Sequence, residues 1–372
     1  MKNLFCYIAL SGAFMSSVCA QTISVSNPLD ENRLELISIP FGKFSKHFSV
    51  DTVFTVKDKT SGQVYLHQLE KLGGATPQNV LIQVPISAKG KLDLVVTKEK
   101  APSFAPKTYA RYVPERFDDY AWENDVVAFR IYGEALEGRS DDAQGMDYWA
   151  KRTSNLVINK WYKTEDYHKD HGEGMDYYSV GQTLGLGDIA LYDQGKIHFT
   201  QHYRKHEVLD NGPLRSTFKL IYPAQNVNGQ QISFSKTITL DAGSNFNKIV
   251  VDFNNENASS TAIAIGLVRR GEESPKYSYD KKDKTLAYFE PNINNAGHTS
   301  TAVILTNQKA EFTDQDAKQF LFKTKIQNNK PFVYYNGAAW DKAGKITNFD
   351  TWEDAVEDFA QSVHKPLKVK LK

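Results

Sequence analysis

The chain has 372 residues, a formal net charge of +1 and two cysteines, and 12% of its residues are aromatic, 19 of them tyrosine. A near-neutral, well-mixed charge leaves no electrostatic footprint for nucleic acid or a membrane surface. The length is enough to bury a large core, and the aromatic rings suit a β-rich interior and sugar-binding faces alike.

The first residues read "MKNLFCYIALSGAFMSSVCAQT". Lys2, an apolar run over 4–15 and Val18-Cys19-Ala20 before Gln21 have the layout of a secretory signal peptide cleaved after Ala20. A lipid anchor on Cys19 is the rival reading, disfavoured by the bulk of Val18 before it. The expected product is periplasmic or secreted. Cys6 and Cys19 both fall in the signal, so the expected mature chain has no thiol chemistry, iron–sulfur cluster or cysteine-bound zinc. No later apolar run is long enough to span a bilayer.

Residues 21–105 alternate apolar and polar positions in short segments such as "TISVSNP", "RLELISI" and "VLIQVPI", separated by turns such as "DKTSGQ" and "AKGK". Period-two alternation between such turns predicts strands and hairpins, hence a small N-terminal β-sandwich region. A proline-containing arm follows. Residues 106–372 then carry longer strands, expected at 124–132, 196–209, 214–222, 231–240, 247–253, 261–269, 285–290 and 302–305. Helical text is scarce; "TWEDAVEDFAQSVH" is the clearest case, with Thr351 as its expected N-cap. The predicted fold is all-β: a large curved antiparallel β-sandwich, the catalytic domain, behind the smaller N-terminal one. No internal repeat and no low-complexity tract is visible.

Strand parity assigns faces. In "ENDVVAFRIYG", Asn124, Val126, Ala128, Arg130 and Tyr132 share one face, and Val127, Phe129 and Ile131 the other, which is core. In "KIHFTQHYRKHEVL", His198, Thr200, His202, Arg204 and His206 fall together. Either these are solvated outer faces or they floor a groove. The stretch "YHKDHGEGMDYYSVGQTLGLGD" adds His168, Asp170, His171, Glu173 and Tyr178. Its glycines make it a loop. It matches neither a zinc helix motif nor a calcium loop, a nucleophile elbow or a phosphate loop. No cofactor is required; a divalent metal is the alternative these side chains allow.

Acid–base chemistry fits better. Histidine is the ordinary proton acceptor near neutrality, tyrosine a usable acid, and arginine a planar clamp for a carboxylate. Those are the parts of a β-elimination beside a carboxylate, in which charge developing on the enediolate must be neutralised as the proton leaves. The expected assignment gives Arg204, with Arg130 and Asn124, the carboxylate. His168 or His171 takes the proton, oriented by Asp170 or Glu173, and Tyr132 or Tyr167 protonates the leaving oxygen. Tyr178 and His202 complete the expected substrate-binding set. The rivals are a chain-cleaving lyase, a non-catalytic glycan-binding protein and a glycoside hydrolase. The last needs two carboxylates, from Glu123, Asp125, Asp170, Glu173 and Asp176, held about 5–5.5 Å or 6.5–9.5 Å apart.

The runs "FDDYAWENDVVAFRIYGEAL", "GMDYWAKR", "NKWY", "YHKDHGEGMDYYSVGQTLGLGD" and "DNGPLRSTFKL" resemble a group of exported bacterial proteins. That group is known as a domain of unknown function and is associated with polysaccharide-degradation loci. The resemblance is strongest over 117–222. It implies a mutarotase-like β-supersandwich and an oligosaccharide dehydratase acting on ulvan fragments. Such an enzyme removes water from a non-reducing-end uronic acid and leaves a 4,5-unsaturated sugar. The expected partner is therefore an acidic oligosaccharide, with no nucleic acid and no membrane insertion; the sequence carries no signal of oligomeric state.

Overall fold

The structure, a computed structural model, describes residues 21–164, 166–305 and 309–372. The expected signal peptide and both cysteines lie outside them. The chain is all-β, its antiparallel sheets stacked as sandwiches without closing into a barrel.

In the N-terminal part, Arg33–Pro40, Asn79–Ile86 and His67–Glu70 form one sheet. The other contains Thr22–Ser26, Lys91–Thr97, Thr55–Asp58 and Val64–Tyr65, and its edge strand, Lys368–Leu371, comes from the far end of the chain. Alternate residues fill the space between: Ile23, Val25, Ile37, Ile39, Val80, Ile82 and Val84. The helix Phe41–Phe48 plugs one side with Phe44 and Phe48. No alternation announces it, because only those two of its eight residues are buried.

Two large sheets make the main sandwich. One runs Lys205–Asn211, Arg215–Val227, Gln230–Asp241, Phe246–Asn255, Phe332–Trp340, Thr299–Ile304, Thr285–Phe289 and Lys276–Asp280; the other is built on Leu186–Asp193, Ser260–Val268 and Gln319–Gln327. The helix Phe349–His364 covers the outer face of the first through Trp352, Val356 and Ala360, one turn apart. Its N-cap is Asn348, not Thr351. Thr351 is N3, closing a capping box in which the Asn348 side chain accepts from the Thr351 amide.

Two expected strands are interrupted. Residues 124–132 turn at Asp125 and Val126, because Asn124 Oδ1 accepts the amides of Val126 and Val127 at 2.8 and 2.9 Å; the strand resumes as Ala128–Ile131. Residues 196–209 are two strands, Lys196–His198 and Lys205–Asn211. Between them the chain leaves the sheet. Glu137 accepts the amide of His202 at 2.7 Å and the guanidinium of Arg204 at 2.8 and 2.9 Å, drawing the segment towards the turn after Tyr132. The expected common face of His198, Thr200, His202, Arg204 and His206 therefore does not exist.

Candidate active site

The site is carried by a further sheet, ordered Gly174–Met175, Met146–Lys151, Ala128–Ile131, Asp119–Asn124 and Thr108–Val113. Phe129 and Ile131 enter the main core, so Arg130 faces the other way. Asp147 lies directly opposite it in the register, and Asp119 and Asp176 come from the flanking strand and loop. Arg130 Nε donates to Asp147 Oδ2 at 2.9 Å, Nη2 reaches the same oxygen and Asp176 Oδ2 (3.1 Å), and Nη1 is 3.5 Å from Asp119 Oδ2. None of the four is more than 5% exposed.

One guanidinium does not neutralise three buried carboxylates. Burial pushes the carboxyl of Asp119 up to about 7 against the pull of Arg130 and Arg116. It does the same to Asp176, again against Arg130. Tyr132 completes the cluster, its hydroxyl donating to Asp147 at 2.9 Å. Burial and Asp147 hold that phenol well above its ordinary range, so Tyr132 keeps its proton and has committed it to Asp147.

The Tyr167 stretch borders this cluster. His168 Nδ1 is 2.8 Å from the backbone oxygen of Asp176. A carbonyl only accepts, so Nδ1 carries the hydrogen and, in the neutral ring, Nε2 keeps a lone pair on an exposed side chain. Tyr167 packs against Trp149 and its ring lies 4.4 Å from that of His168. Its hydroxyl accepts from Arg116 Nε at 3.1 Å, which leaves the phenol's own hydrogen available. A proton acceptor and a proton donor thus stand side by side, above buried charge.

The remaining candidates go elsewhere. His171 is exposed, with Nε2 3.2 Å from the Asp166 backbone oxygen. Asp170 accepts the Gly172 amide and pairs with Arg152, both at 2.8 Å. Glu173 pairs with Lys160 at 2.6 Å. Asn124 donates to the backbone oxygens of Asp241 and Ser244. Tyr178 is buried beneath Arg270, 4.5 Å from its ring centroid. His202 contacts Asp142 at 3.2 Å, and Arg204 is forked onto Glu137 with Glu134 at 3.3 Å. Glu123 is spent on Lys151 and the amides of Val157 and Ile158, and Asp125 on the Gly243 amide. Among the described residues no group of three His, Cys, Asp or Glu side chains could hold a metal ion.

Arg116, Asp119 and Asp147 did not stand out in the sequence. A signal for Asp147 exists there: Gly-Met-Asp-Tyr occurs twice, at Gly145 and at Gly174, and the aspartates of both copies meet on Arg130. Both glycines are irreplaceable by geometry. They hold positive φ (73° and 124°), and a Cβ would lie 2.4 Å from Leu184 backbone and 1.9 Å from the Ala150 oxygen.

The backbone beside Arg116 is strained. Phe117 (φ 49°) and Asp118 (φ 61°) are consecutive left-handed residues, each costing about 1–3 kcal/mol. The kink is held from three sides: the Asp118 oxygen accepts Tyr203 Oη at 2.5 Å, its carboxylate accepts Tyr112, and Gly133 packs so close that a Cβ would lie 1.9 Å from the Asp118 oxygen.

A relative from Formosa agariphila, bearing the name uncharacterized protein P7, is 27% identical over 404 residues that cover 100% of both chains. Two solved structures from Enterococcus faecalis share 10% identity with 95% of this chain. They are a protein in the glycosyl hydrolase family 38 (TM-score 0.48) and an alpha-mannosidase from strain V583 (TM-score 0.46). The chain spans about half the length of each, 47% and 46%. Residues 25–369 match the family described as Domain of unknown function (DUF4861), and the chain belongs to that family.

Proposed function

We propose that the protein is a carbohydrate-active β-elimination enzyme. It acts as a dehydratase on the non-reducing-end uronic acid of acidic oligosaccharides of the ulvan type. The observation that carries this reading is the adjacent pair Tyr167 and His168: a phenol whose oxygen is held by Arg116, and an imidazole whose Nδ1 is held by the Asp176 backbone.

In the proposed reaction His168 Nε2 takes the proton from the carbon bearing the carboxylate. The C–O bond at the neighbouring carbon breaks, Tyr167 protonates the departing hydroxyl, and water leaves as the carbon–carbon double bond forms. The buried cluster beneath fixes the loop that carries both groups, because Asp176 belongs at once to Arg130 and to His168. A positioned donor and acceptor of this kind contribute about 10²–10⁴-fold each. Hydrolysis is less favoured, since Glu123, Asp125, Asp170 and Glu173 are spent on backbone amides and cations, and Asp119, Asp147 and Asp176 are buried around Arg130.

The test is ultraviolet absorbance of the conjugated double bond on uronic-acid-terminated oligosaccharides, followed by mass. Loss of water without chain cleavage supports the dehydratase. Cleaved fragments carrying the double bond make it a lyase, fragments without it a hydrolase, and an unchanged substrate removes the enzymatic reading. Export belongs to the same proposal: the mature protein should begin at Gln21, and an intact mass retaining a lipid on Cys19 overturns that part.

A further inference from the structure

Which group seats the anionic end of the substrate is a separate question, because the arginines around the site are already occupied. Arg130 is shared by three aspartates, Arg204 is forked onto Glu137, and Arg139 is bound to Asp141 at 2.8 Å. Arg116 differs. It is half-buried, its Nε is spent on a neutral phenol, and it makes no ion pair among the described residues. The nearby Asp119 is claimed by Tyr162 at 3.2 Å and by Arg130.

The strained Phe117–Asp118 kink fixes what Arg116 presents. Phe117 is half-buried, with the Arg139 guanidinium 3.9 Å and the Arg116 guanidinium 4.8 Å from its ring centroid. Two guanidiniums thus lie over one aromatic ring, and one of them, Arg116, also reaches the Tyr167 hydroxyl. Three contacts hold a left-handed conformation at two successive non-glycine residues, and such over-determined strain is concentrated where a fold must aim side chains.

We infer that Arg116 and Phe117 form the seat for the carboxylate-bearing terminal sugar. With Nε committed to Tyr167, the guanidinium can take a carboxylate only end-on through its two Nη groups, a planar two-point contact that a lysine does not reproduce. The Phe117 ring, with the Arg139 and Arg116 guanidiniums over it, meets the sugar's apolar side with its edge. A carboxylate held there sits on the side of the guanidinium opposite Nε, so one arginine anchors the anion at one end and fixes the Tyr167 hydroxyl at the other. This seat rests on the elimination reading for its consequence, not for its binding.

The test uses a glucuronate-terminated disaccharide and its carboxyl-reduced counterpart, with His168→Ala in every protein so that turnover does not confound binding. Titration calorimetry should show the acidic sugar bound at least tenfold more tightly than the reduced one. Adding Arg116→Ala should erase that preference, and Arg116→Lys should recover only part of it. Phe117→Ala should weaken both sugars while keeping the preference, and Arg204→Ala should change neither. Circular dichroism and thermal melts exclude unfolding; should Arg116→Ala be unfolded, the Lys and Phe117 variants decide. A folded Arg116→Ala or Arg116→Lys protein that keeps the full preference overturns the seat, as does a parent protein with no preference. Tight acid-selective binding without any elimination by the wild type refutes the elimination and leaves the seat standing.

Discussion

Asp147 and Asp176, the aspartates of two identical Gly-Met-Asp-Tyr runs, meet on one nitrogen, Nη2 of Arg130. The first copy reaches it as a cross-strand partner and the second through the strand that pairs with the first copy's own. The contact locks the Tyr167–Asp176 loop to the sheet. Removing the cation while leaving the acids is the costly change, because it strands buried carboxylates. Arg130→Met should destabilise the fold by about 3–5 kcal/mol. Adding Asp147→Asn should return part of that loss. Urea midpoints of the single and double variants decide it; equal destabilisation by both would deny the coupling.

The two histidines of the loop separate by what holds them. His168 is fixed to the buried Asp176 segment, whereas among the described residues His171 contacts exposed Asp166. His168→Ala should lower turnover by about 10²–10⁴-fold with little change in melting temperature. His171→Ala should stay within about threefold of wild type, as losing an exposed contact costs little. The reverse pattern would move the base to His171.

Much of the fold was readable in the residues. Alternation marks the strands Arg215–Val227, Gln230–Asp241 and Phe246–Asn255, because one face of each enters the core. It also gives the core side of Ala128–Ile131. What local pattern cannot supply is a capture by residues distant in sequence. Glu137 pulls His202 and Arg204 out of line from 65 and 67 positions away, and nothing in "KIHFTQHYRKHEVL" announces it. The site shows the same limit. Tyr167 and His168 were visible as titratable groups in a glycine-rich loop. The value of Arg116 depends on which arginines lack an acid, and that is a property of the folded chain.

Arg204 illustrates the point experimentally. Its fork on Glu137 is partly exposed, and such pairs are worth about 0–1 kcal/mol. Arg204→Ala should therefore shift the urea midpoint slightly and leave both turnover and KM within about twofold. A tenfold rise in KM would restore Arg204 as the substrate clamp.

The acids around Arg130 give the molecule a pH signature. Burial raises the carboxyls of Asp119 and Asp176 from an ordinary 3.8 to about 7. The folded chain therefore holds these protons more tightly than the unfolded chain does. Below about pH 4 both states are protonated, and the groups contribute their full stability. Between about pH 4 and 7 the unfolded chain has released its protons while the folded chain keeps them, so stability falls as pH rises. Above about 7 the folded carboxyls ionise too and the loss levels off. Exposed acids held below their ordinary range, such as Glu115 beside Arg111, act in the opposite direction, so the total curve is not the readout. The difference between wild type and Asp119→Asn is, because the amide mimics the protonated acid and differs from it chiefly where Asp119 titrates. That difference in unfolding free energy, wild type minus variant, should decline from pH 4.5 to 7, and the same should hold for Asp176→Asn. A difference that grows with pH would mean that Arg130 overcomes burial and holds both carboxylates ionised.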